Sequence, residues 1–496
     1  GDLTVTAADA SGAIYGIGVA NGSTAVVRGN TTVTATGTVD GGFAGIVAFN
    51  GAVDPADLAA GELSGIGAGG GNLTIEATNV SGGTVGIGAQ NNGTGATKIT
   101  ATGLVEGGDS GISAYNDVAA TDLTIEAADV SGGTYGIIAQ NDGAGVTTIT
   151  TSGTVTGAAA IVASGNAVDL TNNGTMLGLV SLDSAATDFT NNGTWNAAGR
   201  ESLFTGGAST LVNIGSVIGG TAAGIAEATT WSGLGQFTSQ GLVTLADGGA
   251  GDVLTTTGNA EFAAGSVLAV DFVGAGGADL FLAEGAVDLV SGPTLEADIS
   301  GALIYGQRYT VLTAQGGLTG TFGDLTLTSA PAAFLTIEDA YDANNAWLET
   351  VQFRDLADAA LTPNQTATAG ALDDLGAGAA FEAVVGSVDD ASARFAFDQL
   401  SGELHASIAG SFINDSRVLR DAATDRIRQA FSAPASGSIP VLAYGPDGPQ
   451  LEAADPELLA VWGLASGTWS ERDGDGNAAG IESDARYFVA GADGLL

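Results

Sequence analysis

The sequence predicts an all-β fold built as a parallel solenoid, and three observations support that prediction. The chain repeats internally, residues alternate with a period of two within the repeat, and the composition is rich in turn formers. The 496 residues include 80 Gly and only 9 Pro, and 45% are apolar. Short β-branched strands separated by Gly and Asn turns are typical of all-β repeat proteins.

The repeat is the strongest of these signals. The stretch NLTIEATNVSGGTVGIGAQNNG at 72–93 returns as DLTIEAADVSGGTYGIIAQNDG at 122–143. A shorter phrase resembling GIGAQN begins at positions 16, 45, 65, 86, 111 and 136. These 20–29-residue steps suit one solenoid coil, whose apolar face becomes buried only when coils stack. The alternative, a multi-blade propeller or a sandwich, requires longer strands and more aromatic residues.

Alternation within LTIEA assigns the two faces of one strand. Leu73, Ile75 and Ala77 should point into the solenoid, and Thr74 and Glu76 should point outward. We expect aliphatic ladders inside, with coils about 4.8 Å apart. The Asn that ends each short phrase is predicted at a corner, because Asn tolerates left-handed backbone and bonds to its own backbone. The NNGT copies at 172–175 and 191–194 are interpreted in the same way.

The charge of the chain excludes one class of partner. The net charge is −43, from 12 basic and 55 acidic residues. Residues 1–353 hold four basic residues, Arg28, Lys98, Arg200 and Arg308, so no nucleic acid partner is expected. Solubility and self-repulsion account for the acidity, and divalent-cation binding is the alternative. The chain has no Cys, hence no disulfide, and it contains no apolar run long enough for a membrane helix.

The stretch EGGDSGI (106–112) contains the GDSG pattern that surrounds the nucleophile of chymotrypsin-like proteases. Ser110 falls at a corner position that other copies fill with Phe43-Ala44 or Ala159-Ala160. The one histidine, His405, lies far downstream, whereas a serine triad needs a general base within hydrogen-bond reach. The sequence therefore predicts that the protein is not an enzyme and has no catalytic residue.

Three stretches of the sequence resemble calcium-binding motifs. GGAGDVL (248–254) and GAGGADLFL (274–282) each match one calcium-binding repeat, which needs tandem copies so that neighbouring turns supply oxygens. RDGDGN (472–477) matches half of an EF-hand loop, but position 484 is Asp rather than Glu. Each stretch stands alone in the sequence, so all three are predicted to be hairpin loops. No metal ligand, cofactor-binding residue or cofactor is assigned.

The C-terminal third resembles a known family. Thr362 and Pro363 suit an N-cap and a first helical position. FDQLSGELHASI (397–408) and DSRVLRDAATDRIR (415–428) closely resemble the linker that precedes the barrel of autotransporters, the type V secretion family with pertactin-like passengers. The segment at 461–496 resembles the first two strands of that barrel. Because a barrel needs at least eight strands, we expect the chain to be a fragment of a longer protein.

The resemblance implies a right-handed parallel β-helix followed by a helical linker and a truncated β-barrel start. The expected domains are passenger repeats at 1–260, autochaperone-like C-terminal passenger coils at 261–352, a helical linker at 353–450, and two barrel strands at 451–496. It implies a structural or adhesive passenger, displayed outside the outer membrane of a Gram-negative cell and exported through its own barrel. Its partners would be the outer membrane, through that barrel, and a ligand on a host or neighbouring cell. A polysaccharide-acting enzyme and a calcium-dependent secreted module are the alternatives.

Overall fold

The computed structural model describes residues 1–22, 29–51, 70–206, 208–221, 224–274, 276–328, 332–432, 440–453 and 460–493. The copy of the short phrase that begins at 65 lies mostly outside these residues. The chain divides into two compact units, Gly1–Val351 and Gln352–Leu496. The first unit is a β-solenoid of about 11 turns, which confirms the predicted fold class. The finer division into four domains stays a prediction.

The first unit consists of β-strands. The first part holds β1 (Leu3–Ala7), β2 (Ala10–Gly12), β3 (Tyr15–Ala20), β4 (Thr31–Gly41), β5 (Ala44–Asn50), β6 (Leu73–Gly82), β7 (Val85–Asn91), β8 (Thr97–Gly107), β9 (Ser110–Asn116), β10 (Leu123–Gly132), β11 (Tyr135–Asn141), β12 (Val146–Thr151), β13 (Thr154–Asn172), β14 (Thr175–Asn191), β15 (Thr194–Asn196), β16 (Glu201–Thr205) and β17 (Ala208–Asn213). The second part holds β18 (Ser216–Ile218), β19 (Ala228–Ser232), β20 (Gln236–Ser239), β21 (Leu242–Thr244), β22 (Val253–Thr256), β23 (Asn259–Phe262), β24 (Val267–Val273), β25 (Gly277–Ala278), β26 (Leu280–Ala283), β27 (Val287–Leu289), β28 (Thr294–Ser300), β29 (Arg308–Ala314), β30 (Leu318–Gly320), β31 (Asp324–Leu327), β32 (Leu335–Tyr341) and β33 (Asn345–Gln352).

Equivalent strands of successive coils pair in parallel and in register, so identical positions stack into ladders. One ladder of buried residues comprises Ile17, Ile46, Ile87, Ile112, Ile137 and Ile161. The alternation predicted for LTIEA is confirmed, because Leu73, Ile75 and Ala77 are buried and Glu76 is exposed. Stacked aliphatic side chains remove apolar surface from water along the whole solenoid, which is the main stabilising term of such folds.

The core changes from aliphatic to aromatic along the solenoid. The ladder of Val33, Ile75, Ile99, Ile125, Ile149 and Leu170 continues in register into Phe189, Leu211 and Phe237. Trp195 and Trp231 stack with ring centroids 5.5 Å apart, and Phe237 packs against Trp231 at 5.0 Å. All of these rings are buried, so the later coils are held by aromatic contacts.

The corner asparagines form ladders of their own. Asn50, Asn91, Asn116 and Asn141 are in register and buried, and a second ladder contains Asn172, Asn191 and Asn213. The prediction of left-handed backbone at these corners is wrong, because Ser291 is the one non-glycine residue with positive φ in the described part of the chain. The predicted bond to the local backbone is confirmed, since Asn91 Oδ1 accepts from the Gly93 N–H at 2.9 Å. Burial between coils, rather than backbone strain, explains the choice of Asn.

The C-terminal end of the solenoid contains antiparallel strand pairs, unlike the parallel coils before it. β29 pairs with β33 in antiparallel fashion, and β24 with β25 forms a second antiparallel pair. The Arg308 guanidinium lies over the Trp347 ring at 5.4 Å and also pairs with Glu349. This antiparallel pairing ends the run of parallel coils near Gln352.

The second unit begins with helices. A short 3₁₀ helix (Leu356–Ala359) precedes α1 (Pro363–Leu375), α2 (Ala379–Val385), α3 (Asp390–Leu400) and α4 (Glu403–Ser432). The predicted cap is confirmed, because Thr362 accepts the Gln365 N–H and Pro363 is the first residue of α1. Along α4 the large apolar side chains are exposed; they include Leu404, Ile408, Phe412, Leu419 and Ile427. No helix among the described residues is long and apolar enough to cross a membrane.

Two antiparallel hairpins complete the second unit. They are β34 (Pro440–Gly445) with β35 (Gly448–Ala453), and β36 (Ala460–Arg472) with β37 (Ile481–Asp493). RDGDGN ends β36 and leads into the connection to β37, which confirms the predicted hairpin loop. Arg426 of α4 donates two hydrogen bonds of 2.6 Å to the Asp493 carboxylate and so ties the helix to β37. The interpretation of β36 and β37 as barrel strands stays a prediction.

Candidate cation site

Three acidic residues lie in one column on consecutive coils. Glu227, Asp252 and Asp279 each stand close before a strand, namely β19, β22 and β26. The register places Ala228 beside Val253, and Val253 beside Leu280. Glu227 and Asp252 therefore occupy the same position in neighbouring coils, and Asp279 follows in the next coil. Like charges directly opposite each other in a ladder are destabilising unless something compensates them.

Two of the buried carboxylates shape the loop between β21 and β22. Asp271 Oδ2 accepts the N–H groups of Asp247 and Gly248 at 2.6 Å and that of Gly249 at 3.0 Å. Asp279 Oδ1 accepts those of Gly251 and Asp252 at 2.8 and 3.0 Å. Asp279 Oδ2 accepts the Asp271 N–H at 2.7 Å. The loop at 247–252 is thus wrapped around these two carboxylates by its own backbone.

Two other carboxylate oxygens of the cluster accept no hydrogen bond. One carboxylate oxygen from each of Glu227, Asp247 and Asp252 lies within 4.8 Å of the other two. The Oδ2 atoms of Asp247 and Asp252 are buried and accept no hydrogen bond. Asp252 is 1% exposed, so bulk solvent does not reach it. Gly220 makes room for it, because a Cβ on Gly220 would lie 1.8 Å from Asp252 Oδ2.

Electrostatics keeps two of these carboxyls from ionising at their ordinary pKa. Burial raises the pKa of Asp252 to about 6, against the lowering effect of the Glu227 N–H, and the charges of Asp247, Glu227 and Asp271 raise it further. Burial raises the pKa of Asp279 to about 7 although three backbone N–H groups oppose the change. Residues 201–307 contain no Lys, Arg or His that could offset this negative charge. The cluster therefore presents hard oxygen ligands without a cationic side chain from its own coils.

The sequence predicts that GGAGDVL (248–254) and GAGGADLFL (274–282) are two separate hairpin loops. The second prediction is confirmed, because β24 and β25 pair in antiparallel fashion, Phe272 with Ala278 and Val273 with Gly277. The first is wrong, because residues 245–252 connect β21 to β22, and these strands pair in parallel with β24 and β26. Coil stacking brings the two stretches together in space, although they are separated in the sequence. They therefore form the tandem arrangement that the sequence alone did not show. The assignment of no catalytic, cofactor-binding or metal-ligating residue stays a prediction.

Ser110 is the first residue of β9 and is 3% exposed. It is in register with Val85 and Tyr135, and the ladder continues to Ala44 and Ala159, as the sequence comparison of the copies predicted. Ser110 Oγ donates to Asp109 Oδ2 at 3.0 Å. His405 lies in α4, in the second unit.

Comparison with known proteins gives a limited similarity. No protein-family model matches the chain. Two curated proteins from Serratia marcescens, each named extracellular serine protease, are 34% identical to it over 98 residues. The match covers 20% of this chain, and the chain spans 8% of the length of these relatives. Together with the β-solenoid, this distant similarity supports an autotransporter-type passenger.

The same comparison corrects one prediction. The expectation that the protein is not an enzyme is contradicted, because both relatives carry the name of a protease. The prediction of no activity rests on one motif, GDSG at Ser110, and on the position of one histidine, His405. A general conclusion about activity does not follow from the rejection of a single triad, since nucleophiles are recognised by geometry and differ between folds.

Proposed function

We propose that the chain is an autotransporter-type passenger, displayed on the outer surface of a Gram-negative cell as a structural or adhesive solenoid. The observation that carries the proposal is the in-register stacking of short coils through the first unit. Such a solenoid forms by adding coils to an existing edge, which suits a chain that folds as it emerges from a pore. The absence of Cys fits this route, because a disulfide-closed loop would obstruct a narrow pore.

The second unit supports the same proposal. A 30-residue helix, α4, is followed by long antiparallel strands, the order that the resemblance implies for the linker and the start of a barrel. Exposure alternates residue by residue along β37, as a strand with two different environments requires. The word extracellular in the name of the two relatives agrees with a secreted or surface location. We propose the outer membrane as the partner of this unit.

The outer face of the solenoid supports an adhesive role. Stacked coils present repeated polar side chains over an extended surface, which gives a ligand many equivalent contacts. The ligand would lie on a host or neighbouring cell. Because the net charge is −43, a cationic or carbohydrate surface suits it better than nucleic acid, for which we expect no binding.

Surface labelling tests the location. Antibodies against residues 1–351 should bind intact cells that produce the protein, and external protease should remove the signal while a periplasmic marker survives. Labelling that appears only after the outer membrane is permeabilised would contradict the proposal. For adhesion, beads coated with the purified chain should bind cells more than beads coated with an unrelated acidic solenoid; equal binding would leave display without adhesion.

A second candidate function, peptide-bond hydrolysis by a serine nucleophile, comes from the name of the two relatives. Ser110 and its hydrogen bond to Asp109 are one place to test it. A fluorophosphonate probe should label the full chain if this function holds, and comparison of Ser110→Ala with Ser113→Ala would locate the label. A full chain that neither reacts with the probe nor cleaves casein would reject this candidate.

A further inference from the structure

We propose that Glu227, Asp247 and Asp252 bind a divalent cation, Ca²⁺, which joins two neighbouring coils of the solenoid. This inference is independent of surface display and adhesion. It is based on buried oxygen atoms that accept no hydrogen bond from the described protein atoms. Asp247 Oδ2 and Asp252 Oδ2 are both buried without a hydrogen bond, and Asp252 is 1% exposed. Burying an unpaired carboxylate oxygen is costly, so native proteins pair such groups or use them as metal ligands.

The arrangement of the oxygens fits one ion. Calcium takes six to eight oxygens at about 2.3–2.6 Å, so two of its ligands lie at most roughly 5 Å apart. Glu227, Asp247 and Asp252 meet this limit with one carboxylate oxygen each, since these three oxygens lie within 4.8 Å of one another. Three protein carboxylates at one site suit Ca²⁺ better than Mg²⁺, which demands an octahedron at about 2.0–2.1 Å and usually keeps several waters.

The rest of the coil holds these ligands in place. Asp252 Oδ1 accepts the Glu227 N–H at 2.7 Å, which leaves Oδ2 for the ion. Asp247 Oδ1 likewise accepts the Gly249 N–H at 3.0 Å. Asp271 and Asp279 bind the backbone of the loop at 247–252 and so set the position of both ligands. These two acids act as positioning residues.

The excess of negative charge around the site also favours a bound cation. Glu227, Asp247, Asp252, Asp271 and Asp279 converge where residues 201–307 supply no basic side chain. The nearest basic residue before this range, Arg200, donates from Nη1 to the Ala198 carbonyl at 3.3 Å. A bound cation would offset this negative charge.

The test uses the purified full chain, freed of metal with a chelator. Calorimetric titration with Ca²⁺ should give a saturable site with Kd on the order of 10⁻⁴–10⁻³ M, the range of extracellular calcium modules. Asp252→Asn should weaken it at least about tenfold, and Asp247→Asn provides a second variant if the first folds poorly. Asp324→Asn is the matched control, because it removes one exposed charge in β31 and should leave the affinity unchanged.

Thermal unfolding separates a metal ligand from a structural residue. In chelator, Asp252→Asn should melt at or above the wild-type temperature, because it removes a buried, repelled charge. In millimolar Ca²⁺ the order should reverse, since only the wild type gains the binding energy. Millimolar Mg²⁺ should raise the melting temperature less than Ca²⁺ does.

Two results would overturn the proposal. One is a wild-type melting temperature that Ca²⁺ does not change, which would mean that Asp247 and Asp252 do not bind the cation. The other is a calcium response that Asp252→Asn and Asp324→Asn retain equally, which would place binding elsewhere on this acidic chain. Neither result would affect the proposed surface display, which is tested by labelling intact cells.

Discussion

The coils at 29–213, here called the amide coils, and those at 216–300, the acidic coils, bury polar side chains in opposite ways. In the amide coils, Asn172 Nδ2 donates to Asn191 Oδ1 at 2.7 Å, and Asn191 Nδ2 donates to Asn213 Oδ1 at 2.9 Å. In the acidic coils the column consists of carboxylates, of which Asp252 and Asp279 are buried and Glu227 is half-buried. An amide carries donors and an acceptor, so a column of amides satisfies itself, whereas ionised carboxylates only accept. A carboxylate column therefore needs backbone N–H groups, protons or a cation.

The two regions also differ in how they fill the core. The amide coils rely mainly on aliphatic ladders, while the acidic coils rely on Trp231, Phe237, Phe262, Phe272 and Phe281, all fully buried. Large rings bury more area per residue and add specific edge and stacking contacts. The acidic coils thus combine a stronger apolar core with an electrostatically unfavourable column. Their stability should depend on single aromatic residues more than that of the amide coils does on single aliphatic ones.

The largest expected effect is the loss of one ring from this core. Trp231→Ala should lower the free energy of unfolding by about 3–5 kcal/mol, because it leaves a cavity between Trp195 and Phe237. Denaturant unfolding of the first unit, followed by circular dichroism, measures the change. Trp469→Ala is the control, because that side chain is 73% exposed and its removal should cost little. Equal losses in the two variants would show that the aromatic stack carries no special share of stability.

A matched pair of Phe substitutions sharpens the same point. Trp195 Nε1 donates to the Gly178 carbonyl at 3.1 Å, whereas Trp231 Nε1 is buried without a partner. Trp195→Phe should therefore be more destabilising than Trp231→Phe by about 1 kcal/mol, since only the former breaks a hydrogen bond. The reverse order would contradict the assigned bonding.

The second-largest loss of stability is expected in the amide column, the stacked side chains of Asn172, Asn191 and Asn213. Asn191→Ala removes the group between Asn172 and Asn213 and leaves buried amide atoms without partners, at a cost of about 1–3 kcal/mol. Asn192→Ala changes the neighbouring exposed residue, whose amide bonds only to Asn173 Oδ1 at 2.8 Å, and should cost under about 0.5 kcal/mol. Unfolding curves of the two variants decide the matter. If Asn191→Ala lowers the free energy of unfolding no more than Asn192→Ala does, the amide column does not stabilise these coils.

Local patterns in the sequence were enough for the solenoid itself. The alternation of Leu73, Ile75 and Ala77 and the recurring short phrase depend on neighbours within one coil, and both predictions are confirmed. The conformation of the corner asparagines was mispredicted because their role depends on the coil above and the coil below. Coil length varies between 20 and 29 residues in the repeats, so the residues that stack cannot be paired until the register is known.

The acidic cluster was missed for the same reason. GGAGDVL and GAGGADLFL were judged as isolated motifs, although Asp252 and Asp279 are 27 positions apart, within the range of one coil step. Glu227 stands 25 positions before Asp252 and completes the column. A search for acidic residues recurring at one coil length would have found all three. Their burial and the unpaired oxygens of Asp252 and Asp247 depend on the packing of Gly220 and the loop, which the sequence pattern does not reveal.

The smallest effect concerns an acidic pair that the amide coils keep on their outer surface. Asp169 and Asp188 are in register on neighbouring coils. Lost hydration, and then the charge of Asp188, raises the pKa of Asp169 above its ordinary value of 3.8. A raised carboxyl pKa favours folding fully below the unfolded value, and that contribution disappears as the pH rises through the folded value. Asp169→Asn should therefore stabilise the chain at pH 7, by a few tenths of a kcal/mol because the pair is solvated, and should have no effect near pH 3.

Unfolding curves at the two pH values, with and without added salt, check this prediction about Asp169. Salt should shrink the gain at pH 7, because solvated charges are screened over about 8–10 Å. Asp324→Asn, which removes an acid in register with Thr294, should give no comparable gain. A gain that persists at pH 3 would come from the new amide and not from relieved repulsion. The size of the gain also bears on the acidic coils: if a solvated pair costs so little, a buried column of the same charges needs compensation far more than its exposed counterpart does.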